Sequence, residues 1–175
     1  MHPNRLLAGR FAKPLARGSA IYYPPQPPDL GERQFGVAPH TDYGGLTLLA
    51  QDATGGLQVL AKSGQWATAH PIPDTLVINI GDLMARWTNS RFSSNPHRVV
   101  NTSGRERYSI AVFYDPHFDT VVDPRDHEPL PSAAASAPIR VLDIQSGDCT
   151  PLTRRESVRC CRAPGCRWLP ARCRG

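Results

Sequence analysis

The first 132 residues of this chain contain no cysteine. That removes a disulfide framework and an all-thiolate metal site from most of its length, and leaves imidazole and carboxylate as the metal-binding groups. No run of about eighteen apolar residues occurs, so no transmembrane helix is assigned and no membrane partner is expected. Residues Met1 to Lys13 lack the apolar stretch of a secretory signal, which points to a soluble, cytoplasmic chain. Net charge is missing too, because residues 1–132 balance 12 Lys/Arg against 12 Asp/Glu.

Composition changes near residue 132. Residues 133–175 hold all five cysteines, 8 Arg, no Lys, no His and 3 acidic residues, so the formal charge of +5 belongs entirely to them. A basic tail can be a nucleic-acid footprint, but this one has no interleaved aromatics and no recognisable binding module, so no nucleic-acid partner is expected. Cys160-Cys161, Cys166 and Cys173 do not have the paired spacing of a zinc knuckle. The expected organisation is one domain over residues 1–132 and an Arg/Cys/Pro-rich tail over 133–175 that is disordered or frameshift-derived. Beyond about Arg140 no helical periodicity is apparent.

Short apolar runs punctuated by turn residues fill the first part. Leu46–Gln51, Gly56–Ala61, Gln65–His70, Thr75–Ile80, His97–Asn101 and Arg107–Tyr114 read as strands. Asp52-Ala53-Thr54-Gly55-Gly56, Lys62-Ser63-Gly64, Pro71-Ile72-Pro73-Asp74 and Thr102-Ser103-Gly104 separate them as turns. The pattern is all-β, a sandwich or jelly roll with little helix beyond one turn over Gly81 to Trp87.

His40, Asp42 and His97 stand out within this frame. Two imidazoles and one carboxylate are the minimal set for a non-haem Fe(II) facial triad, which leaves coordination positions open for chemistry. In an extended segment, residues i and i+2 share a face, so His40 and Asp42 can reach one ion, and His97 arrives from a strand brought close by folding. Arg107 and Ser109 follow His97 by ten and twelve residues, on one face of an alternating strand with Ala111 and Phe113. An inward-facing guanidinium needs an anion, and its fork matches a carboxylate through two parallel hydrogen bonds. The plainer alternative pairs Arg107 with Glu106 or Asp115. Asn79 and Asp82 organise a turn, and Asn79 is a candidate to steady a ligand from behind. Phe113 is either a pocket wall or an ordinary core aromatic. Trp66 and Trp87 read as packing residues, and His70, His117 and His127 are assigned no ligand role.

Several segments, in order, resemble the isopenicillin-N-synthase-like group of 2-oxoglutarate/Fe(II) dioxygenases over roughly residues 11–125. They are Tyr22-Tyr23-Pro24-Pro25-Gln26, Ala38-Pro39-His40-Thr41-Asp42-Tyr43-Gly44-Gly45-Leu46-Thr47-Leu48-Leu49, Gly55-Gly56-Leu57-Gln58-Val59, Val77-Ile78-Asn79-Ile80-Gly81-Asp82, Asn95-Pro96-His97-Arg98-Val99-Val100 and Gly104-Arg105-Glu106-Arg107-Tyr108-Ser109-Ile110. The resemblance implies a distorted double-stranded β-helix (jelly roll). It implies Fe(II) on His40, Asp42 and His97, and 2-oxoglutarate held at its far carboxylate by Arg107 and Ser109 with the Tyr23 hydroxyl as helper. Dioxygen and a small organic substrate complete the reaction, in which decarboxylation of 2-oxoglutarate is coupled to substrate oxidation. The family's oxidases, isopenicillin N synthase and the plant ethylene-forming oxidase, carry the same Arg-x-Ser pair without consuming 2-oxoglutarate. Two alternatives therefore stay open: an oxidase whose Arg107 and Ser109 bind the substrate carboxylate, and a truncated inactive barrel. The family also carries a long N-terminal region before the barrel, so the chain is expected to be a catalytic core truncated at its N-terminus.

Overall fold

The computed structural model describes residues 8–26, 36–126 and 137–145. Its strands are β1 (Leu15–Tyr23), β2 (Val37–His40), β3 (Leu46–Gln51), β4 (Leu57–Leu60), β5 (Trp66–Thr68), β6 (Val77–Ile80), β7 (His97–Val99), β8 (Arg107–Asp115), β9 (Val121–Val122) and β10 (Ile139–Arg140). Short helices join them, among them α1 (Asp82–Trp87), α2 (Val141–Gln145) and a 3-10 turn at Pro124–Asp126. One antiparallel sheet runs β1-β8-β3-β6 and a second runs β2-β7-β4-β5. The expected all-β architecture with little helix is what forms.

The two sheets bury their facing sides against each other. Tyr23, Leu57 and Val99 are the buried centre, flanked by Ile21, Leu49 and Val77 from the first sheet and Val37 from the second. Along β8 the alternation is sharp: Arg107, Ser109 and Ala111 are buried, while Tyr108 and Ile110 are exposed. Period-two alternation at the sheet level is what a strand with one covered face requires.

Pairing register then lays out the inner face of the first sheet in rows. Tyr23 lies beside Arg107, and Ile21 beside Ser109 beside Gln51. Next come Ser19, Ala111, Leu49 and Val77, followed by Arg17, Phe113, Thr47 and Asn79. Every site residue of this sheet lies in one of these rows.

The six strand runs anticipated from sequence all contain observed strands, with boundaries that agree to within two residues. β1 was not anticipated. Its sequence, Leu-Ala-Arg-Gly-Ser-Ala-Ile-Tyr-Tyr, is rich in small residues and carries a glycine, so it has little apolar alternation of its own. It is an edge strand held by nine consecutive pairings with β8.

The compositional boundary at residue 132 does not coincide with the end of packed structure. Ile139 and Arg140 pair with Val122 and Val121, and Val141 is buried with Leu83, Trp87 and Val122 in a second small core. Residues 137–145 therefore belong with the packed unit, through the strand pairing of Ile139 and Arg140 and the burial of Val141 in that core. The remaining tail residues, including all five cysteines, lie outside the described residues.

Candidate metal centre

β2 and β7 pair so that His40 lies directly opposite His97, after a register shift between Val37 and His40. The two rings are 4.2 Å apart between centroids. His40 Nδ1 is 2.8 Å from the Ala38 carbonyl oxygen, and His97 Nδ1 is 3.2 Å from that of Asn95. A carbonyl only accepts, so the His40 contact places the proton on Nδ1 and keeps a lone pair free on Nε2; His97 Nδ1 also lies 3.3 Å from the donor nitrogen of Asn79, so its partners do not fix one tautomer. Burial holds the His97 pKa below the ordinary imidazole value, and His40 adds to this while Asp42 and the Asn95 contact partly oppose it. Neutral imidazole is the form that ligates a metal.

Asp42 completes the cluster from the connection between β2 and β3. Its Oδ2 accepts hydrogen bonds from Thr47 Oγ1 at 2.7 Å and Asn79 Nδ2 at 2.6 Å. That leaves Oδ1 turned toward both rings, 3.9 Å from His40 Nε2 and 3.8 Å from His97 Nε2. Both separations are below twice an ordinary N/O–metal bond of about 2.0–2.2 Å, so one ion can touch the carboxylate and either ring. The three side chains each offer a donor within 4.8 Å of the others. Asp42 does not share a strand with His40, as the i, i+2 expectation had it: β2 ends at His40, and Asp42 lies in the connection to β3. The convergence comes from Thr47 and Asn79, which hold the carboxylate from β3 and β6.

The connection itself is clamped. Asp82 and Leu83, at the start of α1, donate their N–H groups to the carbonyls of Asp42 and Tyr43 at 2.7 and 3.1 Å. Thr41 Oγ1 donates to Asp82 Oδ2 at 3.0 Å, and Gly45 N donates to Asp115 Oδ1 at 2.7 Å. Gly44 and Gly81 touch backbone to backbone: a Cβ on Gly81 would lie 2.0 Å from the Gly44 carbonyl oxygen. Burial raises the Asp115 pKa above the usual carboxylate range, and the Gly45 N–H and Arg17 only partly offset this.

Arg107 lies at the far end of the same face, with none of its surface exposed. Its Nε donates to the Gly55 carbonyl oxygen, its Nη2 is 3.4 Å from Gln51 Oε1, and its guanidinium carbon is 4.5 Å from the Tyr23 ring centroid. Among the described residues, Nη1 has no hydrogen-bond partner. Neither Glu106 nor Asp115 pairs with it. Glu106 binds the hydroxyls of Tyr22 and Tyr108, and Asp115 holds Gly45. A buried, charged N–H without an acceptor costs roughly 1–3 kcal/mol or more, a cost that an accepting anion would remove. The Tyr23 hydroxyl, in the row of Arg107, and Ser109 Oγ, in the next row, are 3.5 Å apart.

Gly55 and Gly56 read as turn residues in the sequence, but they also make the cradle for Arg107. Both have positive φ, and a Cβ on Gly56 would stand 2.6 Å from the Val100 carbonyl oxygen. Gln51 was likewise not anticipated, and only its register opposite Ser109 reveals it. The phase of the two tyrosines is settled by burial: Tyr23 is buried and Tyr22 is exposed. Phe113 is half-buried on the site face, with the Arg17 guanidinium 5.3 Å from its ring centroid. Trp87 packs in the second core, and Trp66 stacks beneath Arg98. His117 lies near Asp119, away from the cluster, and His127 falls outside the described residues.

Two facing antiparallel sheets with a His/Asp/His cluster at one end and a buried arginine at the other define a jelly-roll metal-site scaffold. The sequence profile of the 2OG-Fe(II) oxygenase superfamily matches residues 19–116, and the chain belongs to that family. The 2-oxoglutarate-Fe(II) type oxidoreductase hxnY of Emericella nidulans is 48% identical over 118 residues, which is 63% of this chain and 34% of that protein. The homoarginine-6-hydroxylase 2-ODD-C23 of Glycine max is 46% identical over 96 residues, 54% of this chain and 29% of that protein. Among solved structures, a full-length Neurospora crassa protein in complex with alpha-KG and thymine aligns with a TM-score of 0.74 at 29% identity, covering 82% of this chain and 47% of that one. The chain thus spans about a third of the length of these curated relatives. Among the described residues, no helix is long and apolar enough to cross a membrane.

Proposed function

We propose that this chain carries the catalytic core of an Fe(II)- and 2-oxoglutarate-dependent dioxygenase acting on a small organic molecule. His40, Asp42 and His97 hold the iron; Arg107, Ser109 and the Tyr23 hydroxyl hold the far carboxylate of 2-oxoglutarate. When bound, the iron and the 2-oxo acid supply oxidative decarboxylation coupled to oxidation of the substrate. The protein contributes position, charge and exclusion of water. Thr47 and Asn79 keep one carboxylate oxygen of Asp42 occupied, so the other is presented to the metal. Arg107 neutralises the co-substrate's distal charge in a buried setting, where its fork provides orientation as well as attraction.

The single observation that carries this reading is the buried Arg107 with a free Nη1, on the sheet face that also anchors Asp42. A metal cluster alone fits many functions. A metal cluster in line with an incomplete, buried carboxylate grip fits a 2-oxo diacid. The Neurospora crassa neighbour, crystallised with alpha-KG, supports the same co-substrate, and its thymine complex supports a small molecule as the oxidised partner.

The test is anaerobic addition of Fe(II) and 2-oxoglutarate to the purified chain. A visible metal-to-ligand charge-transfer band is expected, since it requires bidentate chelation, and succinate should appear on admission of air. Absence of the band would refute the co-substrate assignment. A band without succinate would leave an inactive barrel.

A further inference from the structure

The inner face of the first sheet carries a second arginine that the co-substrate does not use. Arg17 lies in register with Phe113, and Phe113 in register with Thr47, whose hydroxyl holds Asp42. Arg17 therefore shares the metal's row, whereas Arg107 lies three rows away beside Tyr23. The two guanidiniums are also in opposite states. Arg107 is fully buried, while Arg17 is exposed on the edge strand.

The contacts of Arg17 do not neutralise it. Its Nη2 donates to the Tyr43 hydroxyl at 3.0 Å, and its guanidinium carbon lies 5.3 Å from the Phe113 centroid. Both partners are uncharged and orient the head without cancelling its charge. Among the described residues no carboxylate forms an ion pair with Arg17, and Asp115 acts on it only at longer range. Tyr43 directly follows the metal-facing Asp42, so the guanidinium is tied to the ligand loop itself. The fork is thus held at the accessible edge of the site by an aromatic face and a hydroxyl.

We propose that Arg17 is a specificity-determining residue that receives the anionic group of the oxidised substrate, and that this substrate is a small organic carboxylate. The inference rests on the proposed dioxygenase function and deepens it. One guanidinium matches one negative charge and the planar, bidentate geometry of a carboxylate. Phe113, between Arg17 and Thr47 in that row, and the half-exposed Tyr43 ring provide apolar surface for the substrate's body. A fixed positive charge at this edge favours an anionic substrate over a neutral one.

The test is binding. With Mn(II) in place of Fe(II) and saturating 2-oxoglutarate, phenylacetate is compared with phenylacetamide and hexanoate with hexanamide, reading paramagnetic relaxation of the ligand protons. Saturating 2-oxoglutarate keeps the probe acids off Arg107 and off the metal. The acids are expected to bind about ten-fold more tightly than their amides, the scale of a partly solvated charge-assisted pair. Arg17→Gln should erase that preference, Arg17→Lys should restore part of it, and neither should alter Mn(II) or 2-oxoglutarate affinity. Equal binding of acid and amide, or an unchanged preference in Arg17→Gln, overturns the anion site alone. Failure of Mn(II) or 2-oxoglutarate to bind the unmodified chain overturns the dioxygenase reading and this proposal with it.

Discussion

Asn79 Nδ2 donates to Asp42 Oδ2 at 2.6 Å, from a strand 37 residues later in the chain. With Thr47 on the same oxygen, this contact determines which edge of the carboxylate faces the two imidazoles. A metal ligand is only as well placed as the groups behind it.

Removing those groups should therefore loosen the metal without removing a ligand. Thr47→Val and Asn79→Leu are each expected to weaken Fe(II) binding by about 10–100-fold, the scale for losing a supporting partner. Competition titration with a chelator measures this, and circular dichroism checks that both variants stay folded. Wild-type affinity in the double variant would show that Asp42 needs no support.

His97→Ala should abolish stoichiometric iron uptake, since two donors leave the ion mostly hydrated. Metal analysis after desalting gives the answer. One iron per chain retained in the variant contradicts the three-residue cluster.

Arg107→Ala should cost the 2-oxo acid about 2–5 kcal/mol of binding, the range for truncating one partner of a buried charge pair. Arg107→Lys should recover only part, because a point charge cannot serve Gly55 and the carboxylate as a fork does. Iron affinity should remain unchanged in both. Calorimetry of 2-oxoglutarate binding tests the prediction, and equal affinities across the three proteins would contradict it.

Gly81→Ala should destabilise the fold by about 1–3 kcal/mol, as overpacking does, and also weaken the metal, because the added Cβ meets the Gly44 carbonyl within the ligand loop. Gly18→Ala, where a Cβ meets nothing within 4 Å, is the control and should leave both unchanged. Thermal melts with metal titrations on both variants separate the outcomes. A neutral Gly81→Ala would mean that the loop moves freely away from α1.

Asp115 has a pKa raised by burial. The folded state therefore holds its proton to higher pH than the unfolded chain, whose carboxyl titrates near 3.8. Stability from this group is present below that value and is lost as pH rises through the folded pKa. Asp115→Asn keeps an acceptor for Gly45 and removes the charge. Its melting temperature, relative to wild type, should rise as pH climbs from below about 4 toward neutrality. A constant difference across that range would contradict the shift.

Sequence alone determined the residue types and their local phase. His40, Asp42, His97, Arg107 and Ser109 were identifiable as candidates, as were the alternation of β8 and the turn before α1, because these depend on neighbours within a few positions. What the chain could not announce locally was decided by register between strands. The pairing of His40 with His97, the grip of Thr47 and Asn79 on Asp42, the Gly55 cradle under Arg107 and the place of Arg17 all join residues far apart in sequence. β1 and Val141 were overlooked for the same reason: their stability comes from β8 and from Trp87, not from their own composition. A side chain's face follows from the two-residue repeat of its strand. Its partners exist only once sheets have paired and packed, since cross-strand hydrogen bonding and burial are properties of the assembled whole.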